Sequence, residues 1–183
     1  AKTVTLGKTH WPETNRVMLR NRRIGCSVSG IAQFITHRGQ GELKHWLEEG
    51  YCILKKYDKN YSDWFAVPRS IKTTSVKPSG TVSLLAGATP GLHYPESRFY
   101  IRRIRLSVNS PLIKPLEKSG YKIEPAFGSE TSTVVVDVPV DVGEGVRTIN
   151  EVSMWEQLSL AAFMQKYWAD NQVSCTVTFN PET

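Results

Sequence analysis

The chain has 183 residues, of which 40% are hydrophobic and 22% are charged, and its formal net charge at pH 7 is +6. This composition is typical of a folded globular domain and excludes a disordered or low-complexity chain. No segment approaches the roughly 20 apolar residues that a membrane-spanning helix needs, and no apolar run of signal-peptide type follows Ala1, so we expect neither membrane insertion nor secretion.

The cysteines and the charges narrow the cellular setting. The three cysteines, at positions 26, 52 and 175, are widely spaced and odd in number, which fits neither a disulfide framework nor a paired metal-binding motif. We therefore expect a cytoplasmic protein. The basic residues are spread along the chain and interrupted by acids, so we interpret the positive charge as a solvated surface and expect no nucleic-acid partner.

The first part of the chain is predicted to contain two helices and then a strand. A short helix is expected over 29–37. Over 42–65, apolar residues recur three and four positions apart, which is the period of an amphipathic helix and makes this the longest predicted helix. The β-branched run over 71–76 then predicts a strand.

The remainder of the chain is predicted to alternate between strands and helices. A longer helix should run to about residue 168, because Thr148 with Glu151, or equally Ser153 with Glu156, stands in capping-box spacing ahead of it. The other predicted elements are a short helix over 111–118 and strands over 99–108, 133–140 and 173–179.

This alternation predicts the fold class. Helices and strands that alternate along a chain favour an α/β layer architecture, in which helices pack on a sheet. The sequence contains no internal repeat and no flexible linker, so we expect residues 1–183 to form a single domain or part of one.

The most informative segment is 77–91, which reads KPSGTVSLLAGATPG. It follows a predicted strand, bends through a Pro-Ser-Gly turn, and places hydroxyl groups at Ser79, Thr81 and Ser83, where a short helix can begin. Such a turn directs backbone N–H groups and the positive end of a helix dipole at one point, which suits a phosphate group. A plain turn with a Ser or Thr cap is the alternative interpretation.

The same segment resembles a known family. Residues 78–83 (PSGTVS) and 87–95 (GATPGLHYP) are similar to the substrate-phosphate loop of ribonucleotide reductase large subunits, in the form found in B12-dependent ribonucleoside-triphosphate reductases. Residues 21–31 (NRRIGCSVSGI) resemble the block that follows the active-site cysteine loop of that family, and 169–177 (ADNQVSCTV) resemble a late barrel strand. The resemblance therefore extends over nearly the whole chain.

The resemblance implies a fold and an activity. The fold would be α/β, namely part, the second half, of the ten-stranded α/β barrel of ribonucleotide reductases. The activity would be the reduction of ribonucleoside triphosphates to 2′-deoxyribonucleotides by radical chemistry, with adenosylcobalamin as the cofactor. The implied partners are the triphosphate substrate, the remainder of the reductase chain and a thioredoxin-type reductant.

The resemblance also implies which residues bind the substrate. The loop would hold the phosphates and so position the sugar, with Val82 contributing through its backbone N–H. Lys77 and His93 are secondary candidates, because Lys77 adjoins the hydroxyl donors and His93 lies within the resembling block. The residues implied to bind the phosphates are Ser79, Gly80, Thr81, Val82 and Ser83.

The sequence departs from a complete enzyme of this family in one respect. The radical cysteine of the family lies in an Asn-x-Cys-x-Glu loop, and neither Cys26, Cys52 nor Cys175 has that setting. We expect each of these cysteines to be packed as a small buried hydrophobe and none to be catalytic. The start at Ala1, ahead of the first methionine at Met18, and the end directly after an apolar run favour an interior fragment that is inactive alone.

Two alternatives remain open at this point. The chain can be one natural piece of a split or intein-interrupted reductase, joined by a partner that carries the cysteine loop. It can also be a nucleotide-binding regulatory module without a catalytic partner.

Acidic residues after a predicted strand form a further candidate site. Asp137, Asp141 and Glu144 lie close together in the sequence, as ligands of a metal or as groups that share a proton. The neighbouring glycines favour a solvated turn instead, and the four histidines show no ligand spacing, so we expect no metal site.

Three arginines form the densest basic cluster. Strand alternation places Arg103 and Arg105 on one face and Arg102 on the other, so they cannot all serve one ligand. Salt bridges are the favoured interpretation, and a secondary phosphate contact from one of them is the alternative.

Overall fold

The computed structural model describes residues 1–80 and 82–180, except for the side chain of Leu85. The chain divides into two compact units, the first formed by residues 1–95 and 145–183 and the second by residues 96–144. The expectation that residues 1–183 form a single partial domain stays a prediction. The elements in chain order are a 3₁₀ helix (Lys2–Leu6), α1 (Pro12–Asn21), α2 (Ile31–Trp64), α3 (Val82–Leu85), β1 (Phe99–Ser107), α4 (Ile113–Lys118), β2 (Lys122–Pro125), β3 (Thr133–Asp141), a 3₁₀ helix (Ile149–Glu151) and α5 (Met154–Tyr167).

The long helix α2 contains both helices that the sequence predicts, over 29–37 and 42–65. The two predicted helices run into one another across Gly39, whose φ of 80° and ψ of 163° are not helical. Glycine adopts such a conformation without a Cβ clash, so the helix axis changes direction there. Leu43 and Leu47 lie on the buried face beyond the break.

A second side of α2, roughly 100° around the helix from the buried one, is also apolar, and it is exposed. Trp46, Ile53, Tyr57 and Trp64 are between 52% and 74% exposed. A helix that packs on one side only is expected to carry polar residues on the other. The helix α2 therefore has two apolar faces, and only one of them is covered within the described residues.

The helix α5 confirms the prediction made from its capping residues. The Ser153 hydroxyl accepts a hydrogen bond from the Glu156 backbone N–H at 3.2 Å, which satisfies one free donor of the first turn. The pair Thr148 and Glu151 also forms its capping box, on the short 3₁₀ helix that precedes α5. Both spacings are therefore used, each at its own helix start.

The first unit contains three extended segments that lie side by side and parallel: the first at Cys26, the middle one over 73–76, and the third from Val173 onward. Cys26 bridges to Thr74 and Val76 bridges to Val173, both in parallel orientation. The backbone of Ser75 donates to the carbonyl of Cys26 at 3.0 Å, and Ser174 donates to that of Val76 at 2.9 Å. Because α2 connects the first segment to the second and α5 precedes the third, the arrangement is the one that parallel pairing requires.

These segments are less regular than the strands predicted over 71–76 and 173–179. The structure forms isolated bridges there, so the prediction of continuous strands is wrong. After Val173 the reason is that side chains take over the pairing: the backbone N–H of Thr176 donates to a histidine ring and that of Thr178 to the side-chain oxygen of Gln157.

The second unit contains a regular antiparallel sheet in the order β1-β3-β2. In β1 and β3, Phe99 pairs with Asp141 and Ser107 with Thr133, so both strands predicted for this region are confirmed to within one residue at their ends. The strand β2 was not expected, because it has only four residues and ends in Pro125. The helix α4 begins at residue 113, two residues later than predicted.

The sequence patterns also fail to predict α1. This helix has Pro12 in its first turn, a favourable position, but none of its residues is buried. Without a buried face there is no apolar periodicity to detect.

The core of the first unit joins α2, α5 and the middle extended segment. Trp168, at the end of α5, is 7% exposed and donates its indole N–H to the carbonyl of Ser75 at 3.0 Å. This bond satisfies the only polar atom of a large buried ring. The buried members of the core are Ile31, Leu43, Leu47, Val76, Leu92, Leu160, Met164, Trp168 and Ala169.

A buried ion pair joins the start of the chain to α2. The ammonium group of Lys2 lies 3.0 Å from Asp58 Oδ1, and the two side chains are 4% and 5% exposed. The hydroxyl and backbone N–H of Ser70 also donate to this carboxylate. Burial alone would raise the pKa of Asp58, but the hydrogen bonds from Ser70 and Lys2 outweigh it and lower the pKa.

The fold is thus of mixed α/β class, as expected. The expected half of a ten-stranded barrel is not confirmed, because the regular sheet of the described residues has three strands and is antiparallel. No helix in the described part of the chain has the length and apolar character to span a membrane.

Candidate functional site

The segment 77–91, here called the phosphate loop, starts where the middle extended segment ends. Ser79 has a φ of +52°, a left-handed conformation that is uncommon for a residue with a Cβ. The carbonyl of Ser79 accepts both the backbone N–H and the hydroxyl of Ser83, which closes the turn ahead of α3. Thr81, one of the residues predicted to bind phosphate, lies outside the described residues.

The predicted phosphate-binding residues differ in their surroundings. Ser83 is 4% exposed and its hydroxyl hydrogen is used within the loop, whereas Val82 is 69% exposed. Ser79 and Gly80 are partly exposed. Ser83 therefore holds the shape of the turn, and the surface of the turn is formed by its neighbours. The assignment of these residues to phosphate binding stays a prediction.

The two ends of the phosphate loop approach each other closely. Gly91 has a φ of +53°, and a Cβ placed on it would lie 2.4 Å from the carbonyl oxygen of Lys77. No side chain fits in that space, so glycine is required both by conformation and by contact. The loop is therefore closed at its base.

The start of α2 supports the far arm of the phosphate loop. The backbone N–H of Gly30 donates to the carbonyl of Thr89 at 2.8 Å, and the amide oxygen of Gln33 accepts the N–H of Thr89 at 2.9 Å. The amide nitrogen of Gln33 donates to Gly87, and Ser29 Oγ accepts the N–H of Gly91. The two sequence blocks 21–31 and 87–95 thus meet in the fold.

The predicted secondary contacts occupy different places. Lys77 is exposed, its backbone N–H donates to Ser27 Oγ, and its ammonium group forms no ion pair with the described residues. His93 is half-buried, with Nδ1 3.1 Å from the carbonyl oxygen of Pro90 and Nε2 3.1 Å from the backbone nitrogen of Thr176. Lys77 is thus available to a ligand, whereas both ring nitrogens of His93 are bonded to the backbone.

A polar cavity of about 700 Å³ adjoins the base of the phosphate loop. Three basic residues line it, namely Arg23, Lys72 and Lys77, and the only acidic residue in its lining is Asp170. Arg23 precedes the first extended segment, and Lys72 and Lys77 stand before and after the middle one. The surroundings of the loop are therefore net positive, as an anionic ligand requires.

Asp170 is a residue whose role the sequence patterns do not reveal. Its carboxylate accepts hydrogen bonds from the hydroxyl of Tyr51, the ammonium of Lys55, and the backbone N–H and hydroxyl of Thr73, all at 2.8 to 3.1 Å. Burial alone would raise the pKa of Asp170, but the bonds from Thr73, Tyr51 and Lys55 outweigh it and hold the pKa far below its ordinary range. The carboxylate thereby joins α2, the segment before the phosphate loop and the end of α5.

The next residue, Asn171, completes this connection. Its side-chain amide donates to the carbonyl of Ile24 at 3.0 Å and to that of Thr74 at 2.7 Å. One side chain therefore holds all three extended segments together. The block 169–177 carries this function, but only its resemblance to a family, and no spacing rule, marks it in the sequence.

The other candidate residues take structural roles in the second unit. Arg103 forms ion pairs with Asp137 and Glu124, and Arg98 forms one with Asp141. These contacts confirm the salt-bridge interpretation for Arg103. Within the described part of the chain, no three His, Cys, Asp or Glu side chains are grouped as metal ligands.

The cysteines are less buried than expected. Cys52 is exposed on α2, while Cys26 and Cys175 are half-buried, and all three are free thiols. The prediction that each packs as a buried hydrophobe is wrong for Cys52. The reason is that Cys52 lies on a charged side of α2 that faces away from the core, with Glu48, Glu49, Lys55 and Lys56 as its helical neighbours.

Comparison with known proteins identifies relatives along the entire chain, although no family model matches it. The chain is 64% identical over 181 residues to a "probable adenosylcobalamin-dependent ribonucleoside-triphosphate reductase" of Dictyostelium discoideum. It is 63% identical over 183 residues to the adenosylcobalamin-dependent ribonucleoside-triphosphate reductase of Euglena gracilis. These matches cover 99% and 100% of the chain but only 24% and 25% of the relatives.

A solved structure agrees with these relatives. The crystal structure of a B12-dependent (class II) ribonucleotide reductase superposes with a TM-score of 0.80 at 34% sequence identity. The superposition covers 97% of the chain and 29% of the reductase, so the chain spans about a quarter of the length of the proteins it matches. Sequence and fold therefore agree along the whole chain, which belongs to the adenosylcobalamin-dependent (class II) ribonucleotide reductase family.

Proposed function

We propose that the chain is part of a radical ribonucleotide reductase that reduces ribonucleoside triphosphates to 2′-deoxyribonucleotides, and that its phosphate loop holds the substrate phosphates. The observation that carries this proposal is the closed, braced turn at 77–91 beside a net positive cavity. Relatives that match the entire chain are named for this activity, which supports the same conclusion.

Within the proposal, the residues of the loop divide the work between binding and support. Ser79 supplies a hydroxyl donor, and Gly80 and Val82 supply backbone N–H groups. Thr81 adds a hydroxyl, and Ser83 keeps the turn closed. Lys77 supplies a positive charge that is not neutralised by an ion pair in the described part of the chain. Hydrogen-bond donors next to a charge are the arrangement that recognises phosphate oxygens.

The catalytic contribution of this segment is positioning. A nucleotide fixed at its phosphates has its ribose held at a set distance from the loop, and the entropy of orienting it is lost on binding and not during the reaction. We assign no reacting group to the chain, since its cysteines do not lie in the radical-cysteine setting. The radical cysteine would come from the remainder of the reductase, and a thioredoxin-type reductant would restore the enzyme in the cytoplasm.

We further propose that the three parallel segments are strands of the second half of the ten-stranded barrel. Their parallel bridges, and the helices α2 and α5 that connect them along the chain, support this assignment. The middle segment is paired on both sides, so strands supplied by a longer chain would add at the outer edges of the first and third segments.

Adenosylcobalamin, which would generate the radical when bound, fits neither of two cavities that the described residues form. The basic cavity beside the loop is lined mainly by amides and cations, and the lining of an apolar cavity of about 300 Å³ includes the ion pair of Lys2 and Asp58. Neither offers a broad apolar surface for a corrin ring.

The proposal can be tested in a hybrid enzyme. The Euglena gracilis reductase would carry this chain in place of its matching quarter, and its cobalamin-dependent reduction of a ribonucleoside triphosphate would be measured. Lys77→Ala and Ser79→Ala each remove a donor, so we expect each to raise the KM about five- to tenfold. Ser132→Ala removes an exposed hydroxyl in the second unit and serves as the matched control.

Two outcomes would contradict the proposal. One is that Lys77→Ala and Ser79→Ala have the same KM for the triphosphate as the Ser132→Ala control. The other is turnover by the isolated 183 residues, which would show that the chain contains its own radical cysteine.

A further inference from the structure

His93 joins two parts of the first unit that are far apart in the sequence. One ring nitrogen, Nδ1, lies 3.1 Å from the carbonyl oxygen of Pro90, in the far arm of the phosphate loop. The other, Nε2, lies 3.1 Å from the backbone nitrogen of Thr176, in the third extended segment. The ring therefore bridges the loop and a segment 83 residues further along.

These two bonds fix the tautomer of the ring. A backbone N–H can only donate, so Nε2 must accept with its lone pair. A carbonyl oxygen can only accept, so Nδ1 must carry the hydrogen. Only the neutral imidazole with its hydrogen on Nδ1 makes both bonds.

The bridge reaches a part of the third segment that has few other attachments. Ser174 is bonded to Val76 and Thr178 is bonded to Gln157, on either side of Thr176. Between these two points, the backbone N–H of Thr176 donates to the His93 ring. The histidine thus replaces the strand pairing that ends at Val173.

The bridge also completes the support of the phosphate loop. The far arm is held on one side by the start of α2, through Ser29, Gly30 and Gln33. His93 holds it on the other side. An arm that is fixed on both sides has fewer conformations to lose when a ligand binds.

We propose that His93 is a positioning residue that sets the phosphate loop in register with the third extended segment. It acts through the loop and does not contact the reacting atoms. This inference rests on the proposed function, since it assigns a role in substrate binding to the same loop. If the loop is in register only part of the time, its apparent affinity for the triphosphate falls by that fraction. Loss of the bridge therefore raises the KM and leaves the kcat nearly unchanged.

Two amide substitutions separate the two bonds of the ring. The amide nitrogen of Asn occupies the place of Nδ1, so His93→Asn keeps a donor for Pro90 and loses the acceptor for Thr176. The amide oxygen of Gln reaches the place of Nε2, so His93→Gln keeps the acceptor for Thr176. The bridge predicts that Gln rescues function and that Asn does not.

The experiment compares these variants, with His93→Ala, in the hybrid reductase described above. The KM and kcat for a ribonucleoside triphosphate would be measured, together with equilibrium binding of the triphosphate in the absence of adenosylcobalamin. We expect His93→Gln to stay within about twofold of the parent in KM, and His93→Asn and His93→Ala to rise about tenfold. The binding constants should follow the same order, and thermal unfolding would identify any variant that fails to fold.

The inference is overturned if the Asn and Gln variants have equal KM values, or if both lose kcat with an unchanged KM, since the ring would then act on the reacting atoms. Failure of the proposed function gives a different result. In that case Lys77→Ala and Ser79→Ala would leave triphosphate binding unchanged, and the His93 variants would differ only in thermal unfolding.

Discussion

Replacement of Asp170 by Asn tests whether this carboxylate holds the base of the phosphate loop in place. The substitution keeps the shape of the side chain and removes its charge. One amide oxygen can still accept from Thr73, but Lys55 loses its counter-ion, and the amide nitrogen must face Tyr51, whose hydroxyl can turn to accept.

The magnitude follows from the bonds that change. A hydrogen bond to a charged group contributes about 1.5–3 kcal/mol and a neutral one about 0.5–1.5 kcal/mol. The bonds from Thr73 lose their charge assistance. The Lys55 side chain is 37% exposed, so its share is reduced by solvent screening. We therefore expect Asp170→Asn to lower the local free energy of opening by about 2 kcal/mol.

Hydrogen–deuterium exchange measures this loss where it occurs. The amide of Thr73 donates directly to Asp170, and those of Ser75 and Val76 lie in the same segment, so their exchange reports its opening. Tyr51→Phe removes a single donor and leaves the charge of the carboxylate and its bonds from Thr73 and Lys55 in place, so it should cost less than Asp170→Asn and serves as the milder matched variant.

The effect must also depend on pH in one direction. The pKa of Asp170 is lowered in the folded state from its ordinary value of 3.8. Its stabilisation is therefore complete above the unfolded-state pKa and is lost as the pH falls from there through the folded-state pKa. The gap between the parent protein and Asp170→Asn should narrow below about pH 4. A gap that is absent near neutral pH, or that does not narrow on acidification, would refute the reasoning.

Two further substitutions test the loop and the buried ion pair. Gly91→Ala places a Cβ 2.4 Å from the Lys77 carbonyl oxygen and should raise the KM for triphosphate at least tenfold. Gly87→Ala is the control, because Gly87 has a similar φ of +65° but no atom within 4 Å of the added Cβ, so the substitution adds only backbone strain. Equal effects of the two substitutions on the KM would contradict the contact argument. Lys2→Met leaves Asp58 buried without its counter-ion and should lower the free energy of unfolding, measured with denaturant, by about 3–5 kcal/mol. Adding Asp58→Asn should restore part of this loss in the double variant. A loss below about 1 kcal/mol would show that the pair is not desolvated.

The sequence predicts those elements whose cause is local. The start of α5 depends on Ser153 and Glu156, three residues apart, and the bond between them forms as expected. The alternation of side chains in β1 and β3 is equally local. By contrast, α1 buries no side chain and β2 has four residues, so neither produces a detectable period.

The contacts that shape the candidate site are long-range, and a single sequence does not encode them in any spacing. Asp170 meets Thr73 across 97 residues, and His93 meets Thr176 across 83. The resemblance to a family marks the blocks that contain these residues, but it does not say which atoms meet. The irregular pairing after Val173 was missed for the same reason, because a histidine ring and a glutamine amide replace a neighbouring strand there.

The second apolar face of α2 has a practical consequence for work with the isolated chain. Trp46 and Trp64 are 18 residues apart, so the exposed face extends over about 27 Å of helix. A strip of this length, with large apolar side chains that no other described residue covers, favours contact between copies as the concentration rises. Biochemical work on the 183 residues alone should therefore use dilute protein, or lysine substitutions at Trp64 and Tyr57, to keep the chain monomeric in sedimentation experiments.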